Sequence, residues 1–177
     1  MNSTKNKISH YFLLFGIAAV MVIFDQWSKA LIRQNIAVGE EIYPIPFLAP
    51  FLRFTYWHNT GAAFGFFQNA NIPLLILSII ISVATIWYYH KAVNEPLIYR
   101  ISIGLILAGA VGNMIDRIRF GYVTDFVAVG RFPVFNVADS CVTIGVILML
   151  LSLLIQEQRE KAAHQTSEAK QDGTNET

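Results

Sequence analysis

Two acidic residues, Asp125 and Asp139, are the side chains of this sequence best suited to catalysis. Asp139 lies at the start of an apolar run, 137–155, that is long enough to cross a bilayer. A carboxylate in a membrane helix costs about 2.5–3.5 kcal/mol at the helix centre and less towards the ends, so it needs a partner or a function. Two carboxylates that share one proton form the catalytic apparatus of aspartic proteases. The pair therefore suggests hydrolysis of a peptide bond.

The same two residues also admit a purely structural interpretation. A carboxylate in the first turn of a helix is stabilised by the helix dipole, so Asp139 is also a candidate helix cap. Asp125 is equally a candidate for a separate cap or ion pair. The sequence spacing alone leaves both interpretations open.

The composition is that of a membrane protein. Hydrophobic residues make up 54% of the 177 residues and charged residues only 14%, whereas an average soluble domain has about 25% charged residues. Four apolar runs, at about 10–32, 72–89, 97–115 and 137–155, approach the length that a membrane span requires. We interpret the first as a retained helix, because no small-residue cleavage site follows it. The predicted fold is therefore an all-α polytopic membrane protein with four transmembrane helices.

The two long links, 33–71 and 116–136, fall on the same side of this predicted bundle. Residues 52–58 alternate as a strand does, and 122–135 resembles a short hairpin. We expect a small β-sheet that rests on the membrane surface above the helices, and an interfacial segment that contains Phe64, Phe66 and Phe67. Residues 1–160 are expected to form one domain, and 161–177 a polar, disordered cytoplasmic tail. Lys and Arg are almost evenly divided between the two sides, so the positive-inside rule favours cytoplasmic termini only slightly.

Several function classes lack support in the composition. A net charge of +1 gives no reason to expect binding to nucleic acid. The single cysteine, Cys141, cannot form an internal disulfide, and the four histidines are scattered without the spacing of a zinc site. We expect no metal and no other cofactor.

Polar side chains of the apolar runs gather at one end of the predicted bundle. Asp25 and Lys29 are four residues apart on one helix face, so they can form an ion pair that extends to the membrane surface and supports the site. A direct catalytic role is the alternative for this pair. Asp116 and Arg117 are expected to form a second ion pair, between a helix and a loop. Because neighbouring helices run in opposite directions, both pairs fall on the same side as Asp125 and as the start of the fourth helix, where further polar residues follow at helical spacing: Asn136, Asp139, Ser140 and Thr143.

Two other function classes are open at this point. Intramembrane aspartates also mark ion pathways, so a small proton-coupled transporter or channel is possible. It would require polar groups throughout the bilayer depth, whereas the middles of the last three runs are apolar. A non-enzymatic scaffold, with both aspartates as caps, is the other alternative.

The sequence also resembles the bacterial lipoprotein signal peptidase (signal peptidase II) family over about 10–155. Five motifs occur in the family's order: Asp25-Gln-x-x-Lys29, Asn59-x-Gly-Ala-Ala-Phe64, Gly112-Asn-x-x-Asp-Arg117, Val123-x-Asp-Phe126 and Asn136-x-Ala-Asp-Ser140. The resemblance implies an aspartic endopeptidase that cleaves diacylglyceryl-modified prolipoproteins before the lipidated cysteine. It implies that Asp125 and Asp139 are catalytic. It also implies a set of residues that bind the substrate or support the site: Asn59, Gly112, Asn113, Arg117, Asn136, Ala138, Asp25, Lys29 and Asp116.

The resemblance also implies a location. The protein is expected in the bacterial cytoplasmic (inner) membrane, with cytoplasmic termini and an active site near the extracytoplasmic surface. Its expected partners are prolipoprotein substrates and membrane lipids, and we expect it to be a monomer.

Overall fold

The computed structural model describes residues 2–49, 51–61 and 70–175, and within these ranges it contains four long helices and one small sheet. The helices are α1 (Asn2–Asn35), α2 (Asn71–Tyr89), α3 (Leu97–Phe120) and α4 (Val137–Asn175), and the strands are β1 (Glu41–Ile42), β2 (Leu52–Asn59) and β3 (Val123–Val129). Each helix contains a segment long and apolar enough to cross a membrane: Tyr11–Asn35, Asn71–Tyr89, Leu97–Phe120 and Val137–Ala163. The predicted four-helix membrane fold with a small sheet is confirmed. The interfacial phenylalanines Phe64, Phe66 and Phe67 lie outside the described residues.

The third helix is longer than its apolar run predicted. It continues past 115 to Phe120 and ends at Gly121, whose φ of 80° closes the helix and whose N–H donates to the Arg117 carbonyl at 3.2 Å. Glycine adopts this left-handed conformation without steric cost, so it ends helices efficiently. Asp116 and Arg117 consequently lie within α3, beyond the bound at 115 that the apolar run predicted.

The fourth helix also differs from the prediction, since it runs to Asn175 through the segment expected to be disordered. Hydropathy marks where a chain leaves the membrane but not where a helix ends. The residues after 155 are rich in Gln, Glu, Lys and Ala, which favour helix. Glu157 and Lys161 also form an ion pair one turn apart.

Helix α3 is the centre of the bundle and contacts each of the other three helices. Small residues allow its close approach to α4: a Cβ on Gly109 would lie 2.4 Å from the Ala138 carbonyl oxygen, and one on Gly145 would lie 2.9 Å from the Ser102 carbonyl oxygen. The outer helices instead leave large apolar side chains exposed, such as Ile80 and Leu150. This is the pattern of a bundle surrounded by lipid.

The sheet is antiparallel in the order β1-β2-β3. The strand predicted at 52–58 is β2, and the predicted hairpin is β3 followed by a single bridge between Val127 and Phe135. A register shift between Phe54 and Trp57 lies beside the pairing of Trp57 with Asp125. The two-residue strand β1 is too short to leave a sequence pattern.

Candidate active site

Asp125 lies in the middle of β3 and is 1% exposed. Its two carboxylate oxygens accept hydrogen bonds from different amides, Asn59 Nδ2 at 2.7 Å and Asn136 Nδ2 at 2.7 Å. Asn59 is the last residue of β2, and its own Oδ1 accepts the Gly61 N–H at 3.0 Å. Two asparagines from different elements thus hold the carboxylate in one orientation.

Asp139 lies in the first turn of α4, where it forms a reciprocal cap with Asn136. The Asn136 Oδ1 accepts the Asp139 N–H at 3.0 Å, and Asp139 Oδ2 accepts the Asn136 N–H at 3.1 Å. This is the geometry of a capping box, with Asn and Asp in place of the usual residues. Asp139 Oδ1 accepts a further bond from Asn113 Nδ2 at 2.8 Å. The capping interpretation of Asp139 is correct, but it does not exclude a catalytic role.

The two carboxylates are linked through Asn136, whose side chain donates to Asp125 and whose backbone donates to Asp139. Burial, and secondly the negative charge of Asp139, raise the pKa of Asp125 to about 7. Two carboxylates that interact in this way titrate as a pair. Such a pair can hold a single proton near neutral pH.

Both aspartates line one cavity of about 610 Å³. Asn59 and Arg117 also line it, and most of the other lining residues are apolar: Leu74, Phe132, Pro133, Val134, Phe135, Val142 and Ile144. An apolar cavity with a few convergent polar groups is typical of a ligand site. Its volume is sufficient for a short peptide segment together with a water molecule.

The predicted Asp116–Arg117 ion pair is wrong. Asp116 is fully buried, forms ion pairs with Lys29 Nζ at 3.3 Å and Arg33 Nη1 at 3.9 Å, and accepts a hydrogen bond from the Thr124 N–H at 2.9 Å. Adjacent residues on a helix point in different directions, so Asp116 faces α1 while Arg117 faces the cavity. Arg117 is half-buried there, 3.5 Å from Ser78 Oγ.

The predicted ion pair between Asp25 and Lys29 is present at 2.9 Å, but it does not extend to the membrane surface. Lys29 is 0% and Asp25 1% exposed. Asp25 also accepts the Ala138 N–H at 2.9 Å, which satisfies a free donor in the first turn of α4. The pair therefore joins α1 to the start of the helix that carries Asp139.

Close packing between α1, α3 and the start of α4 requires small residues at positions 112 and 138, which are Gly112 and Ala138. A Cβ on Gly112 would lie 2.7 Å from Asp25 Oδ2 and 3.1 Å from the Ala138 Cβ. Ala138 is itself fully buried. Neither residue offers a side-chain polar group, so both contribute by allowing the three helices to meet.

Two residues of the site were given no role from the sequence, although one of them, Gln26, stands in the first motif. Gln26 Nε2 lies 3.0 Å from Asp116 Oδ1 and 3.1 Å from the Gly112 carbonyl oxygen, and Arg33 Nη1 donates to Thr124 Oγ1 at 2.9 Å. Arg33 follows Asp25 and Lys29 at four-residue intervals, which is a helical pattern that could have indicated it. Within the described ranges, no group of three or more His, Cys, Asp or Glu side chains has the arrangement of a metal site.

Comparison with known proteins gives concordant matches. A family model described as signal peptidase (SPase) II matches residues 17–155 of this chain. A lipoprotein signal peptidase of Enterococcus faecalis is 40% identical over 149 residues, covering 83% of this chain and 91% of the relative. One of Acinetobacter baumannii is 35% identical over 161 residues, covering 86% of this chain and 89% of the relative. A solved structure described as a bacterial membrane enzyme has a TM-score of 0.75 at 38% identity, covering 82% of this chain and 90% of that chain.

Proposed function

This chain belongs to the signal peptidase II family, and from that premise we propose that it is an aspartic endopeptidase acting on prolipoproteins. It removes the signal peptide by cleaving before a cysteine that already carries a diacylglyceryl group. Asp125 and Asp139 are its catalytic residues, and water is its nucleophile. The observation that carries this assignment is the cavity that both carboxylates line, together with the buried Asn136, which donates a hydrogen bond to each of them.

The different surroundings of the two carboxylates suggest how the reaction proceeds. Asp125 is buried and its pKa is raised to about 7, so it holds the shared proton. Asp139 accepts hydrogen bonds from the Asn113 side-chain amide and from the Asn136 N–H, and it lines the same cavity, so we assign it the role of general base. Asp139 takes a proton from the water as the water oxygen attacks the scissile carbonyl, and Asp125 donates its proton to the carbonyl oxygen. When the tetrahedral intermediate breaks down, Asp139 passes its proton to the leaving amine and Asp125 recovers its own.

The position of the cavity suits a lipid-modified substrate. It lies where the first turn of α4 meets β3, so a peptide can enter from the sheet side while attached acyl chains stay beside the apolar helices. We propose that this end faces the extracytoplasmic side of the bacterial cytoplasmic membrane, with both termini in the cytoplasm. We also propose that the protein acts as a monomer, since both carboxylates come from one chain.

The transporter and scaffold alternatives have no comparable support. Among the described residues, the fully buried charged side chains all lie at the site: Asp25, Lys29, Asp116 and Asp125. Buried serines elsewhere in the bundle, such as Ser82 and Ser102, donate to carbonyls of their own helices. This distribution does not provide a polar path through the bilayer depth.

The proposal is tested by incubating the purified protein with a diacylglyceryl-modified precursor in lipid or detergent. Asp125→Asn and Asp139→Asn should each lower kcat by about 10²–10⁴-fold or more, because each removes one side of the acid–base pair. Asp172→Asn is the matched control, since this residue lies about 50 Å further along α4 at 1.5 Å per residue and should leave cleavage unchanged.

Retained cleavage in either dyad variant would exclude the aspartic mechanism. Cleavage of an unlipidated precursor at the same rate would exclude the proposed specificity. Both variants should remain folded, as judged by a cooperative thermal transition close to that of the wild type.

A further inference from the structure

The ammonium group of Lys29 contacts one more acceptor than is needed to neutralise its positive charge. Its ammonium group is fully buried and has three acceptors, Asp25 Oδ2 at 2.9 Å, Asp116 Oδ2 at 3.3 Å and Asn113 Oδ1 at 3.0 Å. The first two are carboxylates and are sufficient to balance its charge. The third is a neutral amide oxygen, so this contact must be explained by what it does to Asn113.

An ammonium group donates hydrogen bonds and cannot accept them. The Asn113 amide must therefore turn its oxygen towards Lys29, and Asn136 Nδ2 donates to the same oxygen at 3.1 Å. Its nitrogen is then left facing Asp139 Oδ1, at 2.8 Å. The reversed amide would place N–H groups against two donors, Lys29 and Asn136, and an oxygen against the Asp139 carboxylate, and Lys29 is the charged donor among the groups that disfavour it.

The orientation of the Asn113 amide in turn favours one orientation of the Asn136 amide. Asn136 Nδ2 donates to Asn113 Oδ1, and the same nitrogen donates to Asp125 Oδ1. The Asn136 oxygen is occupied by the Asp139 N–H. One side-chain donor to each carboxylate thus belongs to a directed set of hydrogen bonds that begins at the Lys29 ammonium group.

We propose that Lys29 is a positioning residue for catalysis, which acts through the Asn113 amide to keep N–H donors directed at Asp139 and, through Asn136, at Asp125. This inference rests on the proposed function. In the resulting arrangement both Asp139 oxygens accept hydrogen bonds and the carboxylate faces the cavity that Asp125 also lines. Lys29 does not line that cavity, so its loss should change turnover more than substrate binding.

The test is a double-mutant cycle on the full-length protein with a diacylglyceryl-modified precursor. Lys29→Met and Asn113→Ala should each lower kcat by about ten- to a hundredfold with KM nearly unchanged, because misplacement by about 1 Å is sufficient for such losses. The double variant should be no slower than the slower single variant, within about twofold. Lys161→Met is the control, since Lys161 is exposed and pairs only within α4.

The double-mutant cycle distinguishes an effect of Lys29 on the orientation of the Asn113 amide from an effect of its positive charge on the aspartates. If Lys29 acted only by its positive charge on the aspartates, its removal would slow the Asn113→Ala protein by the same factor as the wild type. Losses that multiply in this way would overturn the proposal, as would full activity of folded Lys29→Met.

Loss of Lys29 leaves two buried carboxylates without their cation, so the single variant is at risk of misfolding. The charge-balanced variant Lys29→Met/Asp25→Asn provides the second comparison, made with and without Asn113→Ala. No further loss on adding Asn113→Ala supports the proposal. A further tenfold or larger loss overturns it.

A readout that does not need activity distinguishes failure of this inference from failure of the proposed function. In protein labelled with ¹⁵N-asparagine, the Asn113 side-chain signals are assigned by their absence in Asn113→Ala. They should shift or broaden in Lys29→Met, or in its charge-balanced form, and remain in place in Lys161→Met. Unchanged Asn113 signals on loss of Lys29 would overturn the positioning role, whether or not the protein cleaves precursor.

Discussion

At the scale of single residues, Asp125 and Asp139 differ in what surrounds them. Asp125 is buried within a sheet strand, whereas Asp139 is half-exposed in the first turn of a membrane helix. The proposed mechanism therefore gives the same chemical group two roles that depend on its surroundings, as in other carboxylate pairs.

This difference predicts the pH dependence of cleavage. Burial raises the pKa of Asp125 to about 7, with a second contribution from Asp139. Since the mechanism requires protonated Asp125, kcat/KM should fall as pH rises through about 7. Initial cleavage rates measured across the neutral range check this, and rates that continue to rise on the alkaline side would contradict it.

The same pKa predicts the pH dependence of stability. A carboxyl group whose pKa is higher in the folded protein contributes stability at low pH and loses it as pH rises from the ordinary value, 3.8, to about 7. Asparagine cannot ionise, so the melting temperature of Asp125→Asn minus that of the wild type should increase over this interval and level off above it. Thermal unfolding in detergent at several pH values measures the difference, with Asp172→Asn as a control that should show no such trend.

The sequence predicted the residues of the site better than their contacts. The motifs identified Asp125, Asp139 and the asparagines, but the link from Asn113 to Asp139 joins two helices and follows only from their packing. Asp116 is a second example: its neighbour in the sequence, Arg117, was predicted to pair with it, but Lys29 does so in the structure.

At the scale of secondary-structure elements, small residues decide how closely the helices meet. Gly112→Ala should destabilise the protein by about 1–3 kcal/mol, because its Cβ would overlap Asp25 Oδ2. Cleavage should also fall, since Asp25 holds the Ala138 N–H at the start of α4. Chemical denaturation and initial cleavage rates measure the two effects.

Gly16→Ala is the matched control for this substitution. Gly16 is an exposed residue of α1, and a Cβ there would meet no atom within 4 Å. Alanine should be neutral or stabilise the helix by up to about 1 kcal/mol. Equal effects of the two glycine substitutions would contradict the packing argument.

Apolar runs predicted the existence and order of the helices but not their ends. Helix α3 ends where Gly121 adopts a positive φ, and α4 continues into a polar segment that has high helix propensity. The ends depend on local backbone conformation and helix propensity, whereas hydropathy reports only the position of the membrane.

At the scale of the whole molecule, the arrangement in the membrane can be tested directly. If the sheet is extracytoplasmic, Arg131→Cys should react with an impermeant maleimide added to intact cells, because Arg131 is an exposed residue between β3 and α4. Arg159→Cys, exposed on the far part of α4, should react only after the cells are permeabilised. The native Cys141 is 2% exposed and should remain unlabelled in both variants. The opposite pattern would reverse the proposed orientation.

The hydrogen bond between Asp25 and the Ala138 N–H joins the first helix to the last. During synthesis on the ribosome, Asp125 is made before α4, and the other carboxylate follows only when that final span begins. A nascent chain that holds only three spans therefore has Asp125 but not Asp139. If both are catalytic as we propose, the chain cannot hydrolyse a peptide bond until its fourth span has been made.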